Sequence, residues 1–136
     1  MYKIGYTSGV YDMFHIGHLN ILERSKAQCE HLIVGVSTDA LVKEYKNKTP
    51  IIPEEQRKRI VSAIRYVDEV VDQETMDKMA AFEKYRFDVV FVGSDWKDTD
   101  KWNKIEAEFK KVGVDVVYLP HTDGISSTIL AKTVGE

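Results

Sequence analysis

Two short runs, Leu32-Ile33-Val34-Gly35-Val36 and Val89-Val90-Phe91-Val92, are apolar at nearly every position. A strand with one wet face alternates apolar and polar residues, so a strand apolar on both faces has to be covered on both. Neither run approaches the roughly 18 apolar residues of a membrane span. They predict parallel strands in the middle of a sheet, over residues 32–37 and 88–92, with helices on each side. Three further strands are expected at residues 4–8, 69–71 and 114–119.

Helical patterns separate these runs. Leu19, Ile21, Leu22, Ser25 and Lys26 begin one. Pro53-Glu54-Glu55 opens another, with Ile60, Ala63, Ile64 and Val67 at helical spacing; proline and acidic residues suit a first turn. Residues 75–85 and 102–112 supply two more, the second closed by Gly113, and a last turn is expected from Ser126-Ser127-Thr128. Strands alternating with helices predict one α/β domain over residues 1–136, a Rossmann-like three-layer sandwich on a five-stranded parallel sheet. The composition agrees, since 136 residues with 43% hydrophobic and 30% charged side chains can bury one core.

The net charge of −3 provides no global positive field, which argues against a nucleic-acid partner. Cys29 is the only cysteine, so neither an intramolecular disulfide nor a cysteine-rich zinc site can form. The chain enters Lys3-Ile4-Gly5-Tyr6 without an apolar leader. A cytoplasmic protein without membrane insertion is the expectation.

Right-handed crossovers place the carboxyl ends of all the strands on one edge, where such folds bind ligands. The chain leaves that edge through residues 9–18, 37–48, 93–100 and 120–127. The first reads Gly9-Val10-Tyr11-Asp12-Met13-Phe14-His15-Ile16-Gly17-His18. A helix N-terminus offers free N–H groups and partial positive charge, and histidines add donors that can become charged. His15 and His18 at such a start suit a phosphate whose charge grows during a reaction. Two histidines without a nearby Cys, Glu or third His make a poor zinc set, so no metal ligands are assigned.

This segment resembles the signature of the H-x-G-H nucleotidyltransferases, and within them of the cytidylyltransferases. The likeness continues through Arg65-Tyr66-Val67-Asp68-Glu69-Val70, Gly93-Ser94-Asp95-Trp96 and Thr122-Asp123-Gly124-Ile125-Ser126-Ser127, in order over nearly the whole chain. It is similar in extent to the small bacterial glycerol-3-phosphate cytidylyltransferases. The resemblance implies a single nucleotidyltransferase domain that joins CTP to an alcohol phosphate, most readily glycerol 3-phosphate, with Mg2+ as cofactor and in a homodimer. Phosphocholine, phosphoethanolamine or a sugar phosphate as acceptor, ATP in place of CTP, and a nucleotide sensor without catalysis are the alternatives.

The resemblance also implies roles. His15, His18 and Lys46 are the expected catalytic residues. Gly9, Val10, Asp12, His18, Asp95, His121, Thr122, Gly124, Ile125, Ser126 and Ser127 are expected at the nucleotide. Lys46, Lys48, Arg57 and Arg65 are expected at the acceptor, the lysines in a loop after the second strand. The two arginines are expected on one helix, within about 80° of each other. Trp96 is assigned to packing. His121 stands where the family has arginine; it is shorter and lacks the planar fork. Val10 stands where the bacterial glycerol-3-phosphate enzymes have threonine.

Overall fold

The computed structural model describes residues 1–120. Five strands, β1 (Tyr2–Gly9), β2 (Cys29–Ser37), β3 (Glu69–Gln73), β4 (Val89–Gly93) and β5 (Asp115–Leu119), form one parallel sheet in the order β3-β2-β1-β4-β5. The helices are α1 (Ile16–Lys26), α2 (Asp39–Lys46), α3 (Glu54–Ser62), α4 (Lys78–Tyr85) and α5 (Asp100–Lys111). A 3-10 turn, Ser94–Trp96, follows β4. The expected five-stranded α/β sandwich is present. Among the described residues no helix is long and apolar enough to cross a membrane.

The doubly apolar strands are central, as their pattern requires. On one face Val34, Val36, Val89 and Phe91 pack with Leu22 of α1 and Val61 of α3. On the other Ile33 and Val90 pack with Phe82 of α4 and Trp102 and Phe109 of α5. Each fully buried aliphatic or aromatic side chain contributes roughly 1.5–3 kcal/mol through removal from water.

Three expectations shift. The segment after β2 is a helix, α2, rather than a loop: Thr38 caps it by accepting from the Leu41 N–H at 3.1 Å, and Leu41 and Val42 are buried. Helix α3 ends at Ser62, before Ala63, Ile64 and Val67. It turns Arg57 and Val61 to the core and leaves Ile60 exposed. Arg65 consequently lies in the turn beyond α3, not on it. The expected stop of α5 holds, because Gly113 follows its last turn at φ 79°.

The chain lays down β1, β2 and β3 outward in one direction and returns to place β4 on the other side of β1. The order reverses between β1 and β4, and a crevice opens beyond their carboxyl ends.

Candidate active site

A cavity of about 380 Å3 lies in that crevice. The β1–α1 connection supplies one wall with Gly9, Val10, Asp12 and His18. Lys46 and Lys48 come from the other side, and Gly93 and Trp96 from the end of β4. The sheet edge thus brings together residues from three of the four segments that the sequence singled out.

The β1–α1 connection is tightly specified. Tyr11 and Met13 adopt positive φ, 56° and 48°, which side-chain-bearing residues seldom do. The Tyr11 ring, 5% exposed, sits over Gly9, where a Cβ would come within 3.3 Å of it. Asp12 accepts from the Ile51 and Ile52 N–H groups at 2.8 and 2.9 Å, tying this connection to the segment before α3.

The two histidines cap α1 reciprocally. His15 is the N-cap, and its Nδ1 accepts from the Gly17 N–H at 3.0 Å. His18, three residues on, accepts the His15 N–H through Nδ1 at 3.2 Å. The arrangement is a capping box with imidazoles in place of the usual hydroxyl and carboxylate. The rings stack with centroids 3.9 Å apart, and Tyr11 and Phe14 each pack 5.3 Å from His18. Because each Nδ1 accepts, each neutral ring carries its proton on Nε2. Burial, the neighbouring His15 and, in opposition, Asp12 set the His18 pKa at about 4, and burial lowers that of His15 as well. Both rings are therefore neutral Nε2–H donors at pH 7, beside a helix N-terminus. His18 lines the cavity, whereas His15, the cap, does not.

Lys46 is the last residue of α2, and Asn47 follows in the left-handed conformation. Burial and Lys48 lower the Lys46 pKa, while Asp12 opposes them. Two cations brought together on a cavity wall destabilise each other until an anion arrives. Lys43, on the same helix, is exposed and does not line the cavity. Lys46→Ala is expected to raise the apparent KM for phosphate-bearing substrates about tenfold or more, and Lys43→Ala to leave it unchanged. Initial rates of both variants against substrate concentration check this.

The other expected residues are placed differently. Arg57 is 1% exposed and does not line the cavity; its guanidinium is held by the protein's own carbonyls and Asp39. Arg65 is exposed and donates to the Tyr66 hydroxyl at 3.0 Å, away from the cavity lining. Asp95 is exposed in the 3-10 turn and also falls outside the lining. Trp96 is not core packing, being 47% exposed at the cavity with the Lys101 Nζ 5.5 Å from its ring centroid. His121, Thr122, Gly124, Ile125, Ser126 and Ser127 lie outside the described residues.

One residue escaped the sequence reading. Lys78, the first residue of α4, is partly buried, and its Nζ donates at 2.8 Å to the hydroxyl of Ser8, which lines the cavity. Ser8 also accepts from Gln73 Nε2 at 3.3 Å, and Gln73 Oε1 accepts from Ser37 at 2.6 Å. Burial, with Lys101 adding to it, pushes the Lys78 pKa down to about 8. Among the described residues no carboxylate pairs with it. The only signal for it was a lysine directly after the Asp77 N-cap, where the helix dipole disfavours a cation.

The site is thus a cavity of about 380 Å3 that Lys46, Lys48 and the neutral His18 ring line beside a helix N-terminus. Known proteins share its framework. Residues 6–133 match the model of the family described as cytidylyltransferase-like. The glycerol-3-phosphate cytidylyltransferase of Bacillus spizizenii is 38% identical over 127 residues, 93% of this chain and 92% of the relative. The FAD synthase of Pyrococcus abyssi is 36% identical over 116 residues, 83% of this chain and 77% of its own length. A lipopolysaccharide core biosynthesis protein from Thermoplasma volcanium has the same fold, with a TM-score of 0.73 at 24% identity, over 90% of this chain and 98% of its own. The matched span takes in the second half of β1, the other four strands and every residue of the described cavity lining, and the chain belongs to the cytidylyltransferase-like family.

Proposed function

We propose that the protein transfers the CMP unit of CTP to an alcohol phosphate, glycerol 3-phosphate first among candidates, and releases pyrophosphate. The observation that carries this reading is the His15–His18 capping box at the head of α1, facing a cavity with Lys46 and Lys48 on its other side. An acceptor phosphate oxygen attacks the α-phosphorus of CTP, and the bond from that phosphorus to the leaving pyrophosphate oxygen breaks. The acceptor is already ionised, so no strong base is needed. The task is to hold two polyanions together and stabilise charge developing on the α-phosphate and leaving group.

The residues divide that task. His18 donates Nε2–H to the developing charge, and His15 holds His18 and the helix start in place. Lys46 and Lys48 draw the triphosphate in. Lys78 does not itself line the cavity but donates to Ser8, which does; with no carboxylate at ion-pair distance among the described residues, it is suited to an acceptor phosphate that reaches Ser8. Among the described residues Asp12 is the one carboxylate of the cavity lining, and no three His, Cys, Asp or Glu side chains group into a metal cage. Such a donor set suits Mg2+ that ligand phosphates would mainly hold, and Asp12, whose two oxygens also accept from the Ile51 and Ile52 N–H groups, would be its protein ligand in the cavity lining. When bound, the ion neutralises phosphate charge.

Pyrophosphate release from CTP is expected only when an alcohol phosphate and a divalent cation are both present. Glycerol 3-phosphate, phosphocholine, phosphoethanolamine and a sugar phosphate, each run with CTP and with ATP, form the test panel. CTP binding without turnover on any acceptor would support the sensor alternative. The homodimer belongs to the same reading and is checked by sedimentation.

A further inference from the structure

Arg57 is the most deeply buried charged side chain among the described residues, and four of the five N–H donors of its guanidinium are used. Its Nε donates to the Ile52 carbonyl at 2.8 Å, and its Nη1 to the carbonyls of Val10 and Ser37 at 2.7 and 2.8 Å. Its Nη2 donates to Asp39 at 2.5 Å, the ion pair that keeps a buried charge tolerable. Four separate segments meet on one planar group: the β1–α1 connection, the end of β2, the start of α2 and the segment before α3. Two further links run alongside. Asp12 accepts from Ile51 and Ile52, and Asp39 and Glu54 exchange backbone-to-carboxylate bonds at 3.1 and 3.3 Å.

We propose that Arg57 is a positioning residue that clamps residues 47–53 against the β1–α1 connection, fixing the two facing walls of the cavity. The inference rests on reading that cavity as the active site. Val10 and Asp12 belong to one wall, and Lys48, Thr49, Pro50 and Ile51 to the other. A guanidinium that joins the carbonyls of Val10 and Ile52 sets the separation of these walls. A direct ligand of the acceptor phosphate would present free donors at the cavity, whereas Arg57 is buried, does not line it and spends four of its five donors on the bonds that hold the walls.

Two variants test this. Arg57→Lys keeps the charge but cannot reproduce the fork. Asp39→Asn leaves Arg57 in place and removes the charge that holds its Nη2. Both are expected to lower kcat/KM for CTP and for the acceptor together, Arg57→Lys by about 100-fold, as expected for a displacement near 1 Å. Both should also speed hydrogen exchange of the Ile51 and Ile52 amides about tenfold or more, while Val34 and Val90 in the sheet are unaffected. That readout does not depend on turnover, so it judges the clamp even if the proposed reaction fails. Should Arg57→Lys not fold, Asp39→Asn carries the test. A rise confined to the acceptor KM, with exchange at Ile51 and Ile52 unchanged, would overturn the proposal. So would an Asp39→Asn protein that binds acceptor more tightly, or variants that merely melt earlier with unaltered kinetics.

Discussion

Replacing His18 by alanine is expected to lower turnover on the order of 100- to 1000-fold, the usual loss for a preorganised donor to developing charge. His18 has two separable jobs, since its Nδ1 closes the cap on His15 while its Nε2–H is left for a ligand. Glutamine at this helix position can still accept from the cap N–H, so His18→Gln should retain much of the helix stability lost in His18→Ala. It should nevertheless remain impaired, because it lacks the rigid ring donor stacked on His15. Stability against pH provides a second readout. With a folded pKa near 4 against 6.5 unfolded, the unfolded chain takes up the proton first. The wild type should therefore lose stability as pH falls from about 6.5 to 4, and His18→Gln should show a shallower slope. Thermal melts and initial rates measure both. A folded His18→Ala protein with near-normal turnover would remove the residue from the mechanism.

Lys78→Met is expected to make the protein more stable and less active. A side chain of similar length replaces an ammonium that burial holds at about 8 instead of 10.5, which costs the native state up to about 3 kcal/mol below pH 8. The wild type should accordingly gain stability as pH rises from about 8 to 10.5, and the variant should not. The acceptor kcat/KM should fall about 10- to 100-fold, the scale of one hydrogen bond to a charged group. An acceptor phosphate would return a counter-charge to Lys78 and raise its pKa, so binding near pH 8–9 should draw in a proton. Calorimetry in buffers of different ionisation enthalpy detects that uptake. Unchanged acceptor kinetics in the variant would make Lys78 a structural lysine only.

The sheet was legible because its central strands are apolar on both faces, which few other structures allow. The end of β3 was not, since Asp72 and Gln73 look like loop residues. Gln73 is buried there only because Ser37 and Ser8 satisfy its amide. Helix α2 was hidden by Asp39, Lys43, Glu44 and Lys46, which outnumber the buried Leu41 and Val42. The phase of α3 was misjudged for a related reason. A hydrophobic count gives Ile60 the inner face, but the core side there belongs to Val61 and to a fully engaged arginine. The histidine pair was legible in type and place, its reciprocal capping only in coordinates. Lys78 was invisible because its significance lies in having no carboxylate at ion-pair distance among the described residues, and a sequence does not show which charges meet.

CMP transfer is tested most directly by following CTP and glycerol 3-phosphate labelled with 18O in its phosphate, using 31P NMR. Attack by an acceptor phosphate oxygen on the α-phosphorus predicts a CDP-glycerol diphosphate signal, with 18O in the bridge to the cytidine phosphorus and unlabelled pyrophosphate. Label appearing in pyrophosphate, or CTP consumed without a diphosphate product, would contradict it.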